Sequence, residues 1–167
     1  SSAWDQTNAG SDSFVTVIKD PDPCAGPNLT IPSGVTCTLP SGSYTFQSLT
    51  VQSGGTLVLQ GDSATTPYGA GVTVTVTSNL TVASGGTITA NDQGFGAGQG
   101  PQPGRPAGIG ASGNGAGHGG EGGLSNHPCC QVRAIAYGDA LLPLAMGSGG
   151  GNTSGGGAIK LVVTGTF

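Results

Sequence analysis

Three stretches of this chain say nearly the same thing: NLTIPSGVTCTL from residue 28, SLTVQSGGTLVL from 48 and NLTVASGGTITA from 79. In each, Leu29, Leu49 or Leu80 is followed two residues on by Ile31, Val51 or Val82, with Thr30, Thr50 or Thr81 between them. That is period-two alternation, apolar to one face and hydroxyl to the other, the pattern of a half-buried strand. A Ser-Gly turn follows (Ser33-Gly34, Ser53-Gly54, Ser84-Gly85), and then a second alternating run in which Thr36, Thr56 and Thr87 align, followed by Cys37, Leu57 and Ile88. A β-hairpin would suit such a turn, but a hairpin has no need of the same sequence twice. Stacked coils do. One coil of roughly 20 residues loses on the order of 20–40 kcal/mol of backbone entropy. Its four or five inward aliphatics return about 1.5–3 kcal/mol each. Only stacking on like neighbours closes that gap, so the phrase recurs.

The spacing therefore predicts an all-β fold, a β-solenoid over 28–167. It is preceded by an arm at 1–27 and interrupted by a large glycine-rich excursion at 93–157. Composition agrees. Only 7% of residues are charged, against roughly 25% in an ordinary domain, and Ala, Leu, Glu and Lys are too sparse for long helices. Lys19, Arg105, Arg133 and Lys160 are the only fixed cations in a chain of net charge -4, so no basic patch exists to hold nucleic acid. No run approaches the ~18 apolar residues of a membrane span.

Four cysteines, Cys24, Cys37, Cys129 and Cys130, permit three pairings. Cys24 and Cys37 bracket one short β-rich unit, while His127 near Cys129 keeps a zinc reading open without the spacing of a structural zinc site. An even set of cysteines and three Asn-x-Ser/Thr sequons, at Asn28, Asn79 and Asn152, point to secretion, with glycans as attached groups. The opening SSAWDQ has neither a positive nor an apolar leader region, as expected of a mature extracellular or cell-surface chain.

Between Gly94 and Gly157 the chain holds 22 of its 34 glycines, without the third-residue period of collagen. By composition this is a linker or loop. It contains the apolar run QVRAIAYGDALLPLAM (131–146), and AIKLVV (158–163) resumes strand alternation after it. The ordered series GNGAGHGGEGG (113–123), YGD (137–139), PL (143–144), GSGGG (147–151) and GGGAIKL (155–161), following the SGGT strand phrases, resembles the secreted glycine-rich β-helix proteins of bacterial and other cell surfaces. The resemblance covers residues 48–167. It implies a right-handed parallel β-helix with an ordered glycine-rich excursion, outside the cell, and no defined activity.

Chemistry is sparse. Asp92 and Asp139 are the carboxylates that would meet if the glycine region folded back, as hydrolysis of a polysaccharide requires; the plainer role of each is to cap a turn. His118, Glu121 and His127 form a weak metal pattern. The expectation is of no enzyme activity and no cofactor. Outward Thr rows also resemble an ice-binding face, although Thr favours any exposed sheet. The leading expectation is a self-assembling filament or surface-layer subunit. FVTVI (Phe14, Val15, Thr16, Val17, Ile18) would pair with a neighbouring copy or cap its own stack. Carbohydrate binding or cleavage is the alternative.

Overall fold

A computed structural model describes residues 24–105, 113–126, 128, 131–139, 141–142 and 144–167. These residues form nine strands: β1 (Asn28–Ile31), β2 (Thr36–Leu39), β3 (Gly42–Phe46), β4 (Ser48–Val51), β5 (Thr56–Leu59), β6 (Val72–Val76), β7 (Leu80–Val82), β8 (Thr87–Thr89) and β9 (Ile159–Val163). They make three parallel three-stranded sheets, ordered β1-β4-β7, β2-β5-β8 and β3-β6-β9. Each strand thus pairs with the strand three places on, and consecutive triplets form three layers. The chain is all-β, as the alternation predicted.

The three repeated phrases are in register residue for residue. Leu29 pairs with Leu49 and Leu49 with Leu80; Thr36 pairs with Thr56 and Thr56 with Thr87. Inward positions of the first two layers make one apolar core: Leu29, Ile31, Cys37, Leu49, Val51, Leu57, Val74 and Val76 are fully buried. The third sheet aligns Gly42–Phe46, Val72–Val76 and Ile159–Val163. These share alternation but little identity.

The turns stack as well. Gly34, Gly54 and Gly85 adopt φ of 75°, 76° and 84°, and the Gly34 N–H donates to Gly54 O while the Gly54 N–H donates to Gly85 O. The next residue shows why SGV becomes SGG after the first phrase. A Cβ on Gly55 would lie 2.7 Å from Ile31 O in the layer before it, and one on Gly86 would lie 2.9 Å from Val51 O. Val35, in the first layer, has no earlier phrase behind it and packs its side chain on the core.

Between β8 and β9 the described residues contain no strand, yet they are tightly bonded. Segment 147–151 exchanges backbone hydrogen bonds with three neighbours. Phe95 N–H donates to Gly147 O, Gly98 N–H to Gly150 O, and Gly149 N–H to Gln99 O. Gly147 N–H donates to Gly156 O; Gly104 N–H reaches Gly149 O, and Gly151 N–H reaches Asn114 O. A strand in a sheet has two neighbours in one plane; this segment has three. Side chains would fill the space that the backbones occupy. A Cβ on Gly94 would lie 2.5 Å from Gly156 O and one on Gly151 2.6 Å from Arg105 O, while Gly149 and Gly155 would run into Gly96 O and Gly147 O. Buried Asn114 links the bundle further, its Oδ1 accepting from Arg105 N–H and its Nδ2 donating to Val132 O at 2.7 Å. The described part of the glycine-rich half is a packed bundle of hydrogen-bonded backbone, and the linker reading of its composition does not hold for these residues.

Candidate functional site

The two ends of the three-layer stack differ. In the first layer Leu29, Ile31 and Cys37 are 0% exposed, and Leu39 and Phe46 are 6% exposed. A disulfide joins Cys24 to Cys37 and, with Val35 and Tyr44, packs against this layer. Of the three cysteine pairings open to the sequence, the local one is formed; Cys129, Cys130 and His127 lie outside the described residues.

The third layer is open. The column Ile31, Val51, Val82 goes from 0% and 0% exposed to 38% at Val82. Val72 is 2% and Val74 0% exposed, but their partners on β9, Ile159 and Leu161, are 39% and 38% exposed. Among the described residues, no further strand lies beyond these positions.

The hydrogen-bond directions locate the open backbone groups. Val72 N–H donates to Ala158 O and Thr164 N–H to Val76 O, so the even-numbered residues of β9 face β6. By alternation, the N–H and C=O of Ile159, Leu161 and Val163 face away, and no described residue pairs with them. Ile88 on β8 and Val82 on β7 have the same orientation, because Thr87 N–H donates to Gly55 O and Ala83 N–H to Val51 O. Leu80 differs. Its N–H donates to Thr166 O at 3.0 Å, as Leu49 N–H does to Asn79 O one layer earlier. Thr166 and Phe167 therefore occupy the next register positions beside β7, and Phe167 is 83% exposed. Between them and β7 lies a groove of about 450 Å³ lined by Asn79, Leu80, Thr81, Val82, Thr166 and Phe167. Phe14, Val15, Thr16, Val17 and Ile18, the assembly candidates, lie outside the described residues.

The sequons are all exposed. Asn28 sits on β1, its Oδ1 accepting from Ser48 Oγ at 2.8 Å; Asn79 precedes β7, its Oδ1 accepting from Thr166 N–H; Asn152 is in the glycine bundle.

The candidate acids have local duties. Asp92 holds a left-handed turn position with φ of 58°. Asp139 Oδ1 accepts from Leu141 and Leu142 N–H at 2.7 and 3.2 Å, the turn-capping role. Glu121 makes an exposed 3.3 Å ion pair with Arg133, and His118 Nε2 lies 3.0 Å from Ala145 O with its ring edge-on to Tyr137. Among the described residues no three His, Cys, Asp or Glu side chains group together as a metal site would need.

A feature absent from the sequence reading is how the excursion is pinned to the stack. Tyr137 O–H donates to Met146 O and accepts from Ser148 Oγ, and its ring stacks on Tyr68 of the β5–β6 connection at 6.1 Å. Met146 is fully buried with Phe95 and Ala158, and its N–H donates to Tyr68 O. Beside this cluster is a cleft of about 490 Å³ lined by Tyr68, Gly69, Gly138, Asp139, Leu142, Leu144 and Ala145. A signal for the pin was present in the two tyrosines, each beside a glycine, but nothing in the local pattern paired them.

Comparison with protein-family models, with curated proteins and with solved structures returns no match to this chain.

Proposed function

We propose that this protein is an extracellular structural subunit, a right-handed parallel β-helix that assembles head to tail into filaments or a surface layer. The observation that carries this reading is the open third layer, where columns that are fully buried in earlier layers are 38–39% exposed at Val82, Ile159 and Leu161. Exposed apolar sheet edges invite addition of another strand, and soluble proteins ordinarily blunt them with charge or cover. Here Lys160 is the only charged residue on the three third-layer strands, and it points outward. The donor is the FVTVI segment of the next copy, which offers the same alternation. The ordered glycine modules that resemble secreted surface proteins, the disulfide and the exposed sequons support a place outside the cell, with glycans on Asn28, Asn79 or Asn152. Electron microscopy of the full protein and of a form lacking residues 1–20 tests this. Filaments are expected from the first, and dispersed particles with an unchanged melting temperature from the second. Equal assembly by both overturns the donor role.

A second reading rests on the cleft beside Tyr68. An aromatic face next to a carboxylate, Asp139, suits a sugar ring that stacks on one and hydrogen-bonds to the other. Glycan-array binding that is lost with Tyr68→Ala would support it; no binding would remove it.

A further inference from the structure

The outward faces of the three sheets differ in what they carry. On β1-β4-β7 the outward positions hold Asn28, Ser48, Thr30, Thr50 and Thr81, a mixture of side-chain shapes that includes a sequon. On β3-β6-β9 the rows are Ser43, Thr73, Lys160 and Thr45, Thr75, Val162, so a long charged side chain interrupts the face. On β2-β5-β8 all six outward residues are short and β-branched. Thr36, Thr56 and Thr87 make one row and Thr38, Val58 and Thr89 the other, with Cys37, Leu57 and Ile88 turned inward between them. Each of the six is exposed or half-exposed. Thr89 Oγ1 accepts from Asn91 N–H at 3.1 Å, while the hydroxyls of Thr36, Thr38, Thr56 and Thr87 have no partner among the described residues.

We propose that this face binds ice. A cleft holds one molecule by enclosing it, and a face of short side chains encloses nothing. Such a face gains affinity only when many weak contacts form together, which requires a partner with the same two-dimensional repeat. Neighbouring strands set the residues of each row about 4.8 Å apart, and alternate residues along a parallel strand lie about 6.6 Å apart. Ice presents water oxygens on its prism face at repeats near both. β-Branched side chains hold few χ1 states in a strand, so hydroxyls and methyls are fixed before contact and little entropy is lost. The hydroxyls can continue the water lattice, and the methyls fill its hollows without competing for hydrogen bonds. A charged group would keep its own hydration shell instead, and none of the six positions carries one. Crystalline polysaccharide is another periodic solid rich in hydroxyls, but its sugar rings are gripped by aromatic faces, and this face has no aromatic residue. The proposal needs no second copy and stands apart from the assembly reading.

Ice growth in the presence of the full protein tests it, read as thermal hysteresis and as crystal shape under a cold-stage microscope. Faceted crystals and a hysteresis that rises with protein concentration are expected. Thr56→Lys, at the centre of one row, should abolish both while leaving the melting temperature unchanged. Thr75→Lys makes the same change at a half-exposed outward position of β6 and should leave both intact. If Thr56→Lys fails to fold, Thr36→Lys at the exposed start of the row takes its place. Round crystals without hysteresis from the unsubstituted protein overturn the proposal. Activity that survives the β2-β5-β8 substitution, or that both lysine variants lose equally, overturns the assignment to this face. Retention on crystalline cellulose or chitin with no effect on ice overturns ice as the ligand.

Discussion

The strand stack and the glycine bundle solve one problem, the burial of backbone without helices, in opposite ways. In the stack, side chains fill the space between backbones: Leu29, Leu49 and Leu80 form a column, and hydrogen bonds run between layers in parallel sheets. In the bundle, side chains are removed so that backbones touch, and segment 147–151 bonds to neighbours on three sides. The first arrangement derives its stability from apolar burial and tolerates repetition with variation. The second gains little from burial of side chains and depends on each close glycine being a glycine. Removing a side chain should damage the stack, and adding one should damage the bundle.

The largest effect expected is in the stack. Leu57→Ala empties a fully buried position in the middle layer and should cost about 2–5 kcal/mol in denaturant unfolding. Val82→Ala, in the open layer, should cost far less in the monomer, because Val82 is already 38% exposed. Replacing both Cys24 and Cys37 by Ser opens a loop of sequence separation 13 and should remove about 3 kcal/mol, read from the same unfolding curve under non-reducing conditions.

In the bundle the sign reverses. Gly149→Ala places a methyl against Gly96 O and should destabilise by about 1–3 kcal/mol, seen first as lost amide protection across 94–99 and 147–151. Gly156→Ala, with open space at its Cβ position, should change stability by less than about 0.5 kcal/mol. Equal responses from these two glycines would break the contrast. A local effect belongs to the pin between the regions. Tyr137→Phe loses the hydrogen bonds to Met146 O and Ser148 Oγ and should cost about 1 kcal/mol, confined to exchange rates in the excursion.

How much of this was legible follows from which interactions leave a trace in local pattern. The first two sheets were readable because Leu29, Leu49 and Leu80, and Thr36, Thr56 and Thr87, repeat identities as well as period. The third sheet was only half visible. VTVTV and IKLVV read as strands, but Tyr44, Val74 and Leu161 share a column without sharing a residue type. Its strands are also separated by unequal insertions. The order of the glycine bundle left no periodic trace, because its bonds join backbones some fifty residues apart, such as Gly98 N–H to Gly150 O. The change from SGV to SGG was readable in principle, since only layers with another behind them exclude a Cβ, yet its meaning needed the stacked geometry. For the third layer, the sequence offered FVTVI either as a strand for a neighbouring copy or as a cap on its own stack, and that segment lies outside the described residues. Which backbone groups of β9 face away from β6 became visible only through the alternation of its hydrogen bonds.

The measurement that tests the account most directly is cryo-electron microscopy of the full protein over a range of concentrations. Filaments are predicted in which a strand repeat of about 4.8 Å runs unbroken through subunit junctions, with the third layer of one copy covered by the next. Monodisperse particles at every concentration, or filaments that leave Val82, Ile159 and Leu161 facing solvent, would contradict it.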